Sequence, residues 1–129
     1  MRTQFDAINI LYAKINASPL KTAINGAIYK LKRPTSAKED IVINSIVLGN
    51  SNFQEGVFNV NIYVPNITVS GASLPNTARL NELETLGNSL FEHVTTQDYS
   101  IYKESASLFE EVSISQHYIN FRINFKSLG

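Results

Sequence analysis

A chain of 129 residues with 43% hydrophobic side chains, 11 basic and 11 acidic residues and no cysteine fits one globular domain, since domains usually run about 100–150 residues. These figures exclude a disulfide framework, a thiolate metal site, a cysteine nucleophile and a globally basic nucleic-acid footprint. Charged residues make up 17%, below the ~25% of ordinary domains, and only His93 and His117 normally titrate near neutrality.

The first residues, Met1 to Asp6, carry one Arg followed by Gln and Asp, with no apolar run behind them. No signal peptide is expected. No run approaches the roughly 18 apolar residues of a membrane helix, so a cytoplasmic chain without a membrane partner is expected. Phe5, Ile8, Leu11, Tyr12 and Ile15 recur at helical spacing, which predicts a helix over Thr3 to Ala17, stopped by Pro19. Ala23 to Leu31 has extended character. Its Ile24-Asn25-Gly26-Ala27 stretch suggests a tight turn at positive φ, and Ile28 to Lys32 then alternates like a strand. Arg33 to Asp40 reads as a polar loop, Ile41 to Leu48 as a strand and Gly49 to Asn52 as a loop.

Val57 to Ile67 is the clearest strand. Phe58, Val60, Ile62 and Val64 share one face, Asn59, Asn61 and Tyr63 the other, and Pro65 ends it or marks an edge. Thr68 to Pro75 reads as a loop. Asn76 or Thr77 can cap a second long helix with Leu80, Leu83, Leu86, Leu90 and Val94 on one face. Gly87 costs that helix about 1 kcal/mol relative to Ala, a cost that close packing on the sheet would explain. Tyr99 to Ile114 holds a strand with an interruption near Ser105-Ala106-Ser107. After a turn at Ser115-Gln116, His117 to Phe125 alternates with Ile119, Phe121, Ile123 and Phe125 on one face. The expected fold is α+β in one domain over 1–129: a mainly antiparallel sheet with two helices on one face, in the order α-β-β-β-α-β-β.

Charge is uneven along the chain. Through Lys38 the basic residues Arg2, Lys14, Lys21, Lys30, Lys32, Arg33 and Lys38 face Asp6 alone, and from Glu39 to Glu111 acids dominate. Two accounts fit: the regions face each other inside one monomer, or two patches of opposite sign each face a neighbouring subunit. The second account singles out Lys30, Lys32 and Arg33 against Glu82, Glu84 and Glu92.

No pattern carries catalysis. His93, near the end of the second helix, and His117, opening the last strand, have no metal-ligand spacing and read as structural. Glu39-Asp40, Glu82/Glu84 and Glu110-Glu111 read as solvated charges, because strand neighbours point to opposite faces and residues two apart on a helix do not meet. A nucleophile elbow, a phosphate-cradling loop and a dinucleotide fingerprint are all missing, so no cofactor is expected. Lys30, Lys32 and Arg33 with Tyr29 form only a weak basic, aromatic patch, which argues against nucleic acid as a partner. The unusual feature is asparagine on strand faces, at Asn44, Asn59, Asn61, Asn120 and Asn124, where it is normally depleted. A face that pairs with another subunit through amide bonds would explain it, and so would a codon bias.

Asp40 to Asn44 with Gln54 to Pro65, then Pro75 to Leu80, then His117 to Phe125 together resemble small proteins of prophage-like regions. The element order is similar to that of the phage tail-completion, or tail-terminator, family. That resemblance implies an N-terminal helix, a sheet, a helix across it and a C-terminal strand pair. It also implies a non-enzymatic protein of the virion tail or neck, made in the host cytoplasm. Such a protein forms a homo-oligomeric ring, commonly a hexamer, and binds tail-tube or head-connector proteins. The alternative is a monomeric or dimeric adaptor module with an apolar groove. An enzyme would need a constellation built from Asn, Tyr, Arg and Glu.

Overall fold

The computed structural model describes residues 3–46 and 55–128. The end of the expected second strand, Val47-Leu48, and the expected loop Gly49 to Asn52 lie outside them. The first helix, α1 (Gln4–Asn16), begins where Thr3 and Asp6 exchange side-chain and backbone bonds in a capping box. Ile8, Leu11 and Ile15 form its buried stripe. Pro19 does not only end this helix. It opens a short second one, α2 (Pro19–Ala23), because proline's fixed φ suits the first helical position and its missing N–H is not needed there.

Two strands follow, β1 (Ile28–Lys30) and β2 (Ile41–Ser45), and they run parallel. A parallel pair needs a crossover, and residues 31–40 supply one. Leu31 leaves β1 in the left-handed region, at φ 70°. The expected turn at Asn25-Gly26 is a different device. Gly26 does not take a positive φ; a Cβ there would collide with the Asp40 carboxylate and the Glu39 carbonyl.

The long strand β3 (Glu55–Pro65) pairs antiparallel with β2. Pro65 is tolerated because its nitrogen faces the β2 side of the sheet beyond the last bond there, Tyr63 N–H to Asp40 O at 2.8 Å. The expected loop after it is a small hairpin, β4 (Ile67–Val69) and β5 (Ala72–Leu74). Ser70 at φ 50° and Gly71 at φ 80° make its two-residue turn, the conformation that matches strand twist.

The third helix, α3 (Thr77–Leu90), is capped by Asn76, whose Oδ1 accepts the Arg79 N–H at 3.2 Å. It ends before Val94, which joins the two-residue β6 (Val94–Thr95). Next come β7 (Tyr99–Glu111), a 3-10 turn (Val112–Ile114) and β8 (Gln116–Ser127). The expected interruption of β7 is a bulge between Lys103 and Ser105.

The six-stranded sheet has the order β1-β2-β3-β8-β7-β6, and every pair except β1–β2 is antiparallel. The fold is α+β, with three helices among the described residues rather than the two expected. The helices cover one face. There Ile8, Leu11, Ile15, Leu20, Leu80, Leu83 and Phe91 pack on Ile41, Ile43, Phe58, Val60, Ile62, Phe121, Ile123 and Phe125. Each such side chain contributes roughly 1.5–3 kcal/mol by leaving water. Gly87 sits against this layer because a Cβ at that position would run into the Phe121 ring. Among the described residues, no helix is long and apolar enough to cross a membrane.

Candidate interaction face

Strand alternation leaves the opposite, helix-free face to Val42, Asn44, Asn59, Asn61, Tyr63, Tyr118, Asn120 and Arg122. Two rows of side chains cross it. In the first, Asn59 Nδ2 donates to Asn44 Oδ1 at 2.9 Å, and Asn120 Nδ2 donates to Asn61 Oδ1 at 2.7 Å and to Asn59 Oδ1 at 3.1 Å. Directly opposed strand residues lie close enough for such bonds. The amides that one account assigned to another subunit therefore bond one another within the chain. Asn124 likewise donates to Glu104 at 3.1 Å.

In the second row, the Arg33 guanidinium lies 3.7 Å over the Tyr63 ring, Tyr63 lies 4.9 Å from Tyr118, and Phe109 stacks on Tyr118 at 5.3 Å. The crossover between β1 and β2 places Arg33 there. Arg33 Nη1 donates to Asp40 Oδ2 at 2.9 Å and Nη2 to Gln116 Oε1 at 2.5 Å, while Gln116 Nε2 donates to Ser36 O at 2.8 Å. Burial raises the Tyr63 hydroxyl above its ordinary value of 10.0, opposed by the Arg33 charge.

A second clasp lies between the crossover and α3. Arg79 donates to Glu39 at 2.6 and 2.8 Å, to Glu82 at 3.0 Å, and to the Ala23 carbonyl. The Glu39 hydrogen bond is the main cause that raises the Arg79 pKa and keeps its charge. Glu39 and Asp40, expected to be solvated, are both buried, and each has its own arginine.

The six residues expected to join subunits occupy different environments. Arg33 is held inside its own chain, and Glu82 is tied to Arg79. Lys30 donates to Asn9 at 2.6 Å and lies over the Tyr12 ring, although it remains exposed, as does Lys32. Glu84 is half-buried on α3, and Glu92 is exposed just beyond it. Among the described residues, no ion pair joins the basic set to the acidic set. The two arginine clasps fit the account in which opposite charges meet inside one monomer.

The histidines stand apart. His117 is buried and shares a 2.6 Å bond with Asn66, which ties the β4–β5 hairpin to β8. His93 meets Thr95 and Ser100 hydroxyls beside a cleft of about 300 Å³ lined by Glu55, Tyr102, Asn124 and Lys126. Among the described residues, no group of three His, Cys, Asp or Glu side chains converges as a metal would require.

The end of the sheet where β3 stops and β8 begins differs from the rest. Ile67, Val69 and Leu74 on the hairpin, Leu108 near the end of β7, and Val112 and Ile114 on the 3-10 turn are all exposed, Val112 by 75%. Asn66 N–H donates to Ser115 O at 3.0 Å, which sets the hairpin beside that turn. Sequence periodicity could not reveal this surface, because the hairpin read as a loop. Compared with known proteins, the chain matches no family profile and no curated protein.

Proposed function

We propose that this chain is a non-enzymatic virion assembly protein of the phage tail-completion type. It acts as a ring of identical subunits at the head–tail junction. Two things support the reading: the resemblance in its strand segments, and an architecture of helix, sheet, crossing helix and C-terminal strand pair. The observation that carries it is the apolar end built from Ile67, Val69, Leu74, Leu108, Val112 and Ile114. A cluster of exposed apolar side chains marks a surface that another molecule covers, and in this reading that molecule is a protein. In this reading the hairpin end meets a tail-tube or connector protein, and other surfaces meet sister subunits.

The test is made on particles. Virions purified after induction of the strain that carries the gene should contain the chain when analysed by mass spectrometry. Deleting the gene should yield separate heads and tails by electron microscopy. Joined particles from the deletion strain would overturn the reading.

A further inference from the structure

The bond pattern fixes which way each backbone group of β7 points. Ile46 N–H donates to Val57 O and Tyr63 N–H to Asp40 O, so the odd-numbered residues of β3 face β2. The even residues Phe58 to Val64 therefore bond to their partners Ile123, Phe121, Ile119 and His117 on β8. In an antiparallel ladder each residue directs both groups to one side. This leaves the even residues of β8 to bond Ser105, Ser107, Phe109 and Glu111. Ala106, Leu108 and Glu110 then direct their N–H and C=O groups away from the sheet. As far as Lys103 that outer side is closed, because β6 pairs with Ser100 and Ile101 and Phe91 O accepts the Lys103 N–H. Among the described residues, no strand pairs with the edge beyond Lys103. Backbone groups held at strand spacing and left open are a template for another strand.

The side chains beside these groups select the strand that fits. Ala106, Leu108 and Glu110 lie on the helix side of the sheet, opposite Phe121, Ile119 and His117. Ser107, Phe109 and Glu111 lie on the helix-free side, opposite Asn120, Tyr118 and Gln116. Leu108 is 55% exposed and Phe109 47%. The edge therefore offers an apolar side chain on each face, and then a carboxylate on each face. Among the described residues, neither Glu110 nor Glu111 belongs to an ion pair. The nearby cations are already engaged: Lys103 Nζ donates to Asn88 at 2.7 Å, and Arg122 lies 3.8 Å from Glu104. The charge that would complement this edge is positive, and it belongs opposite Glu110 and Glu111. The chain's own edges do not supply it. β1 closes after Lys30, whose carbonyl accepts the Lys32 N–H at 2.8 Å. A second β7 edge would bring the same glutamates and no free cation.

We propose that the outer edge of β7, over residues 106–111, takes up an extended segment of a partner protein in which two consecutive basic residues precede two apolar ones. Antiparallel addition, the more stable ladder, sets the basic pair against Glu111 and Glu110 and the apolar pair against Phe109 and Leu108. Opposite-charge and apolar pairs directly across strands are the contacts that stabilise such a join. The edge is separate from the apolar hairpin end, and the inference does not rest on the assembly reading.

The probe is a blocked peptide, Lys-Lys-Val-Val-Thr-Val, added to the purified full chain and followed by amide hydrogen exchange and by the fluorescence anisotropy of a labelled copy. Without peptide, the Ala106, Leu108 and Glu110 amides should exchange fast, while those of Ser107 and Phe109, bonded to β8, should be protected. The peptide should protect the first three, and salt should weaken its binding. Replacing both lysines of the peptide by glutamate should weaken binding by about tenfold. Glu110→Lys should weaken the original peptide several-fold and favour Lys-Glu-Val-Val-Thr-Val in its place. Peptide that binds and leaves the Ala106, Leu108 and Glu110 amides exchanging freely overturns the proposal, and so does the absence of binding up to the solubility limit. Equal binding by the glutamate peptide overturns it as well. So do amides that are slow before peptide is added: at every concentration, the edge is closed within the chain, and only at high concentration, a second copy occupies it. A chain that binds the peptide and is absent from virions keeps the edge and loses the assembly reading. A chain found in virions whose edge ignores the peptide does the reverse.

Discussion

Glu39 and Asp40 stand next to each other in a polar loop, and each is buried against its own arginine. Removing one partner leaves a charge with nowhere to go. Arg79→Met should cost about 3–5 kcal/mol in urea unfolding, and adding Glu39→Gln should recover much of it. Arg33→Glu would strand Asp40 in the same way, so it would report on folding rather than on subunit contacts. At Gly87 two effects compete. Alanine gains about 1 kcal/mol of helix propensity, but its methyl meets the Phe121 ring, and overpacking costs about 1–3 kcal/mol. Gly87→Ala should therefore lower the melting temperature. Tyr63 makes a prediction in pH. Its folded pKa lies above the unfolded value of 10.0, mainly because it is buried. Folding favours the protonated phenol, so this contribution is complete below pH 10 and fades as pH rises through the folded pKa. The ultraviolet phenolate titration of wild type minus Tyr63→Phe should show one group ionising above free tyrosine.

Elements with a strong period were legible in the sequence. The stripe of Phe5 to Ile15 gives α1, the Leu80 to Leu90 stripe gives α3, and the alternation in β3 and β8 gives their buried faces. What escaped was short or set by distant partners. β4 and β5 have three residues each, and every side chain in them is exposed, so no alternation marks them. The burial of Glu39 is decided by Arg79, forty residues away, and local composition carries no trace of that. The asparagines were visible, but that they bond one another depends on the β2–β3–β8 register. Because the hairpin buries little, Ile67→Ser or Val69→Ser should change stability by less than about 0.5 kcal/mol. The same changes should reduce any binding to a partner protein that covers this end.

At the scale of the molecule, the two faces of the sheet are closed in different ways. One face of the sheet is filled by helices, and the other is closed by rows of its own side chains. Among the described residues, exposed apolar side chains collect at the hairpin end, and the outer edge of β7 beyond Lys103 pairs with no strand. The amide row from Asn44 to Asn120 also differs in kind from those edges. Amides gain and lose no proton between acid and alkali, and neutral bonds feel salt little. A medium that turns acidic or briny would weaken the ion pairs of the chain and leave these bonds as they are. The middle of the helix-free face is therefore the part of the surface whose shape depends least on what surrounds it.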